Sequence, residues 1–258
     1  MPRYRAILEY DGTPFCGWQR QRGVLSIQEV FETALAILAF DPVTVFAAGR
    51  TDAGVHALGQ VVHFDLKKVW DPFCLQAALN FYLRPHPVAI LSLAEVSINF
   101  HARLQAIERH YRYQIINRRA PLCLDRNRAW HITTPLDVAA MNKAAQYLVG
   151  HHDFTTFRAK DCQSLSPVKT IYAIHFTSED SFITMHIKAP SFLHHQVRNM
   201  IGTLVQVGRG TWKPEQVKEA LEAKARAAGG PTAPPSGLFF VRVVYPETLF
   251  FLPDYNSA

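Results

Sequence analysis

Polar and apolar positions nearly alternate from Arg3 to Tyr10, which predicts a strand. Ser26-Ile27-Gln28-Glu29 then has the form of a capping box. Behind it Ile27, Val30, Phe31, Ala34, Leu35 and Leu38 recur at helical spacing, so the helix presents one apolar face. The β-branched and aromatic stretches Val43 to Ala48 and Gln60 to Asp65 predict two strands separated by a polar loop. A helix over Asp71 to Tyr82 and a strand over Val88 to Val96 complete one mixed unit.

A second unit begins near Arg109, where Tyr111, Tyr113 and Ile115 share one face of a strand and His110, Arg112 and Gln114 the other. Asp137 to Leu148 reads as a helix with Val138, Met141, Ala145 and Leu148 in register, followed by strands at Val168 to Thr177 and Ser181 to Ala189. Val197, Met200, Ile201, Leu204 and Val205 mark a buried helix face. Pro214 suits the first turn of a last helix ending around Gly229-Gly230, and Leu238 to Tyr245 is a closing strand. The run from Ala227 to Gly237 reads as a loop. The fold class is therefore α+β with predominantly antiparallel pairing, divided into lobes 1–105 and 106–258.

At 258 residues and 48% hydrophobic content, the chain can bury a substantial core. Its 27 Lys and Arg against 21 Asp and Glu give a formal charge of +6, which suits a polyanionic partner without proving one. Cys16, Cys74, Cys123 and Cys162 lie far apart with no Cys-x-x-Cys pair, so neither a zinc site nor a disulfide framework is expected, and reduced, partly buried thiols are. No signal peptide or membrane-spanning run is legible, and a cytoplasmic protein is expected.

The loop Gly49-Arg50-Thr51-Asp52-Ala53-Gly54 carries one carboxylate beside one guanidinium between two strands. An aspartate shortly before a glycine is by itself most often an Asx turn or a helix cap. A phosphate-binding loop would need Lys and then Ser or Thr after the second glycine, where Val55 and His56 stand. Arg50 can hold Asp52 ionised, and an ionised carboxylate can act as nucleophile or base. Tyr111, flanked by Arg109 and Arg112, has the interleaving of ring and cation that base stacking and phosphate contact require, against ordinary sheet packing. Arg198 stands on an apolar helix face and needs a carboxylate partner or a route to solvent. Arg20, Arg22, Arg118, Arg119, Arg158 and Lys160 are candidate phosphate contacts or plain surface charges.

Gly49 to Ala57, followed by Gly59-Gln60-Val61-Val62-His63-Phe64, resembles the signature of the tRNA pseudouridine synthase A family. Gly17-Trp18-Gln19-Arg20-Gln21, Phe100-His101-Ala102-Arg103, Arg109-His110-Tyr111-Arg112-Tyr113, His194 to Gly202 and Ala233 to Leu238 match it in order. Asn80 to Val88 departs, reading Leu-Arg-Pro where the family has Pro directly after Leu. The resemblance implies two mixed α/β lobes whose largely antiparallel sheets join around a central basic cleft. It implies a synthase that isomerises uridine to pseudouridine on the 3′ side of the anticodon stem and loop of tRNA, without cofactor or metal, as a homodimer. Asp52 would be the nucleophile, Arg50 and Arg198 would fix and ionise it, and Tyr111 would stack the base. Arg109, Arg112, Arg20 and Arg158 would contact the RNA.

Two rivals remain. A non-catalytic RNA-binding module explains the charge and Tyr111 but not a carboxylate in a loop facing a polyanion. A metal-assisted hydrolase would draw on His151-His152-Asp153, His194-His195, His56 and His63, but adjacent histidines point about 100° apart on a helix and to opposite faces of a strand.

Overall fold

The computed structural model describes residues 1–246. The described residues divide into two units, 1–107 with 240–246, and 108–239. The chain thus leaves the first unit after Ile107 and returns to it at Phe240, inside the closing strand. The sequence division had carried the second lobe to the end of the chain.

In the first unit β1 (Arg3–Tyr10) lies between β3 (His56–Asp65) and β4 (Val88–Val96), antiparallel to both. Two helices, α1 (Ile27–Ala39) and α2 (Pro72–Tyr82), complete it, with β2 (Phe46–Ala47) pairing to β3. The Ser26 side chain accepts from the Glu29 N–H and starts α1, whose Ile27, Val30, Phe31, Ala34 and Leu35 are buried. Each contributes about 1.5 to 3 kcal/mol of transfer free energy, Ala34 less. The strand expected over Val43 to Ala48 shortens to two residues because α1 takes the bonds a ladder would need. Glu32 accepts the Val45 N–H at 3.2 Å and Gln28 donates to the Val45 carbonyl at 3.4 Å. In the segment that departs from the family pattern, Asn80 on α2 accepts the Ile90 N–H of β4 at 2.8 Å and donates to the Ile90 carbonyl at 3.0 Å, a carbonyl that Gln76 also reaches at 3.0 Å.

The second unit is built on β5 (Glu108–Asn117), which pairs in parallel with β6 (Trp130–Ile132). Helix α3 (Val138–Ala145) ends in a 3-10 turn over Gln146–Leu148, and β7 (Gly150–Asp153) and β8 (Val168–Ile171) form a separate antiparallel ribbon. Strand β9 (Ala173–Glu179) pairs with β10 (Phe182–Ala189), which pairs with β5, both antiparallel. The run Val168 to Thr177 is thus two strands, because the Tyr172 N–H turns to the Lys188 carbonyl. Helix α4 (Gln196–Gly208) is almost wholly buried and α3 packs against it. Helix α5 (Glu215–Glu222) stops well before Gly229, since Lys224 is left-handed (φ 49°) and the Ala225 N–H is taken by Thr156 Oγ1. Strand β11 (Leu238–Val244) follows. The short β6 and β7 lacked a readable period in the sequence.

The architecture is α+β with mainly antiparallel pairing. All four cysteines are free, but Cys16, Cys74 and Cys123 are exposed, not partly buried; Cys162 alone is intermediate.

Candidate active site

Asp52 stands half-buried at the head of a turn closed by the Val55 N–H on its own carbonyl, 3.1 Å, with Gly54 at φ 76° where a side chain would be strained. A second loop holds this turn from outside. The Trp18 N–H donates to the Thr51 carbonyl at 3.0 Å and the Gly54 N–H to the Phe15 carbonyl at 3.3 Å. Gly17 carries φ 91°, and a Cβ there would stand 2.6 Å from the Thr51 oxygen, so the two backbones touch only because no side chain intervenes. Trp18, 2% exposed, packs beside Tyr10 with ring centroids 6.2 Å apart.

Beneath the loop lies a buried polar group. The Tyr10 and Thr51 hydroxyls are 2.8 Å apart, and Gln60 donates to the Gly49 carbonyl at 2.7 Å. Burial pushes the Tyr10 phenol up to about 12, so it stays protonated at neutral pH. Gln60 is fully buried, and its Oε1 has no hydrogen-bond partner among the described residues, a cost accepted beside the Asp52 loop. At the far end His56 Nδ1 lies 3.0 Å from the Gly12 N–H and 3.2 Å from Asp11 Oδ1. The two compete for one nitrogen, since accepting from Gly12 requires it bare and donating to Asp11 requires it protonated. Residues 49 to 56 are therefore pinned at both ends and from below, while Asp52 sits at the turn. Arg50 is exposed.

In the second unit Tyr111 and Arg109 share the buried face of β5, each 9% exposed. The Tyr111 ring meets Phe192 edge to face at 5.1 Å, and the Arg109 guanidinium donates to the Pro190 carbonyl. Arg112 stands on the opposite face, its guanidinium 4.7 Å over the Phe239 ring, so the structure groups only Arg109 with Tyr111.

Arg198 lies in the first turn of α4, half-buried, and is held from both ends by one residue. Its Nε donates to the Ala233 carbonyl at 2.9 Å while its own carbonyl accepts the Ala233 N–H at 3.1 Å. That segment is fastened in turn, since Arg226 reaches Asn199 Oδ1 at 3.1 Å, Thr232 Oγ1 at 3.0 Å and the Gly230 carbonyl at 2.9 Å. Two stretches far apart in sequence, His194 to Gly202 and Ala233 to Leu238, thereby become one assembly around Arg198.

The outlying candidates are placed differently. Arg20 is a surface side chain 3.5 Å from Glu32 and 3.8 Å from Glu29. Arg158 folds back on its own loop, donating to the Cys162 and Ser164 carbonyls at 2.6 and 2.7 Å. Of the histidine clusters, His151 bonds Thr170 and His152 bonds the Val149 carbonyl, both at the β7–β8 ribbon. The His194 and His195 rings tilt against each other at 4.1 Å. Sequence reasoning gave no role to Tyr10, Arg226 or Thr232. Tyr10 reads only as the last apolar residue of a strand, Arg226 falls within the helix expected to end around Gly229, and Thr232 lies in the loop that follows.

Comparison with known proteins adds an independent line. A family model described as tRNA pseudouridine synthase matches residues 6–104 and 144–246. A protein of Cereibacter sphaeroides strain KD131 named tRNA pseudouridine synthase A is 52% identical over 254 residues, covering 97% of this chain and all of the relative. The protein of the same name from strain ATCC 17029 is 53% identical over the same length and coverage.

Proposed function

The chain belongs to the tRNA pseudouridine synthase family, and from that premise we propose that Asp52 is the nucleophile of an isomerase converting uridine to pseudouridine in tRNA. The reaction breaks the bond between N1 of uracil and C1′ of ribose, rotates the freed base and joins C5 to C1′; C5 gives up its proton and N1 takes one up, so the product is an isomer of the substrate. It needs neither oxidant nor energy source. Asp52 serves it by covalent attack or by proton withdrawal from the sugar, both of which call for an ionised, oriented carboxylate. The observation that carries the assignment is the clamped loop, in which Thr51, Gly49 and Gly54 are each bonded to a fixed partner while Asp52 occupies the turn.

Tyr111 is the ring on which the flipped uracil stacks, and Arg109 beside it is a phosphate contact. Arg50 and Arg198 supply the positive charge that fixes the carboxylate. Arg112, Arg20 and Arg158 are given weaker parts in RNA binding, because Arg112 lies on the face of β5 opposite Tyr111, Arg20 is paired with surface acids and Arg158 folds back on its own loop.

The finer reading is that the target uridines lie on the 3′ side of the anticodon stem and loop, and that the working form is a cytoplasmic homodimer. Helix α2 supports the dimer. It carries no charged residue, and its Phe73 and Phe81 are 80% and 66% exposed. No helix of the described residues is long and apolar enough to cross a membrane. Base-resolved pseudouridine mapping of an unmodified tRNA transcript, incubated with wild type and with Asp52→Ala, tests the whole reading. New pseudouridine in the anticodon arm from wild type alone is expected. Binding without product would leave only an RNA-binding module, and equal product from both proteins would remove Asp52 from the mechanism.

A further inference from the structure

The connection from β5 to β6 holds four arginines, Arg118, Arg119, Arg126 and Arg128, against the single acid Asp125, and all four arginines are exposed. It lies between the two stretches matched by the family model. Beside it opens a cavity of about 370 Å³ lined by Leu122, Arg126, Trp130, His131, Pro234 and Ser236. One wall is the half-buried Trp130 indole, set edge to face against Tyr113 at 6.2 Å. Another is Pro234, whose carbonyl accepts the Tyr113 hydroxyl at 2.8 Å. His131 is fixed by a 2.8 Å bond to the Arg118 carbonyl, and Arg126 by its Nε on the Cys123 carbonyl at 3.2 Å.

These parts combine an aromatic plane, a fixed guanidinium and a hydroxyl around a space large enough for one base, in a loop of strongly positive charge. The place of the cavity on β5 matters as much. Trp130 stands opposite Ile115 in the β5–β6 register, four residues along the strand from Tyr111, about 13 Å. Tyr111, Tyr113 and Ile115 occupy the same face. One nucleotide cannot touch both Tyr111 and Trp130 at that distance, whereas a nearby nucleotide of the same bound strand can reach Trp130.

We propose that this cavity is a second nucleotide subsite, in which Trp130 stacks an unpaired base of the bound RNA while Arg126 contacts its phosphate. The proposal rests on the reading of the protein as an RNA-modifying enzyme. It adds a recognition point separate from the reacting base, whose stacking ring and arginine come from the stretch of chain that the family model leaves unmatched and whose Pro234 and Ser236 do not.

The test measures tRNA binding over a salt series for wild type, Trp130→Ala, Trp130→Phe and Arg126→Gln, with pseudouridine formation by wild type measured in parallel. Trp130→Ala should weaken binding about 5- to 150-fold and Trp130→Phe should recover most of it, as loss and restoration of one stacked base require. Arg126→Gln, at an exposed position that does not threaten folding, should lower the salt slope by about one. A wild-type tRNA transcript carrying 4-thiouridine should crosslink to the peptide containing Trp130. If wild type makes pseudouridine but Arg126→Gln keeps the full salt slope and no crosslink forms at Trp130, the subsite is wrong and the functional reading stands. If wild type makes no pseudouridine, it is the functional reading that fails.

Discussion

The hydroxyls of Tyr10 and Thr51 meet at 2.8 Å in the buried floor of the loop that carries Asp52. Because Thr51 is the residue before Asp52, this bond fixes the peptide from which the carboxylate projects. Tyr10→Phe removes the hydroxyl and keeps the ring, leaving Thr51 a buried group without its partner. We expect a stability loss of about 1 to 3 kcal/mol and a larger fall in kcat than in tRNA affinity. Thr51→Val should behave alike and Thr51→Ser should restore most of the turnover. Equal kcat for Tyr10→Phe and wild type would show that the bond supports folding only.

Gly17 is the point at which the two loops touch. Its φ of 91° and the 2.6 Å approach to the Thr51 oxygen leave no room for a methyl group. Gly17→Ala should cost about 1 to 3 kcal/mol and displace the Asp52 turn, lowering both melting temperature and turnover. A variant that melts and turns over like wild type would contradict the clamp.

Arg198 is expected to act through its charge and its fork geometry together. Arg198→Met should abolish most turnover on saturating tRNA. Arg198→Lys should recover little, since an ammonium cannot repeat the planar guanidinium that reaches Ala233 through Nε. Single-turnover kinetics would decide this, and intact turnover in Arg198→Met would end the assignment.

His63 makes stability depend on pH. Burial, helped by the neighbouring positive Arg3 and by His101, pushes its imidazole down to about 4, against the pull of Asp65. Its Nδ1 accepts the Ala102 N–H at 3.2 Å, which needs the neutral ring. The unfolded chain takes up the proton near pH 6.5 and the folded chain resists until about pH 4, so the unfolded state binds more protons throughout that window. Stability is full above pH 6.5 and declines toward pH 4, by at most about 3 kcal/mol from this group. Urea unfolding at pH 7 and pH 4.5 should show the decline, and His63→Asn, which keeps an acceptor for Ala102, should flatten it. Parallel slopes would show that another group is responsible.

Metal removal should have no effect on turnover. The proposed Asp52 chemistry needs no Lewis acid, and His151 and His152 are hydrogen-bonded to Thr170 and to the Val149 carbonyl. Activity lost to exhaustive chelation and restored by zinc would revive the metal-assisted reading.

Local signals carried well wherever the determining interaction was itself local. The buried face of α1, its Ser26 cap, the faces of β5 and the apolar side of α4 followed from side-chain period and capping chemistry, which act over one or two turns. The Asp52 loop was legible because its acid stands beside a guanidinium in a glycine-bracketed loop within a series of ordered motifs; the aspartate and glycine alone would have read as a turn or cap. Boundaries failed where a distant partner intervened. Glu32 and Gln28 took the backbone of Val45 away from a strand, and Thr156 claimed the Ala225 N–H and helped to end the last helix early.

The sequence by itself determined the element types, the α+β class, the membership in the synthase family and the residues able to do chemistry. Each of these depends on spacing and identity along the chain. Only the tertiary structure decided that Tyr10 and Gln60 support the Asp52 loop, that Ala233 and Arg226 fasten Arg198, and that the Arg112 guanidinium lies over the Phe239 ring. Those pairings join residues up to 127 positions apart, as Arg112 and Phe239 are. Hydrogen-bond geometry and close packing select them, and neither is written in the period of a one-dimensional pattern.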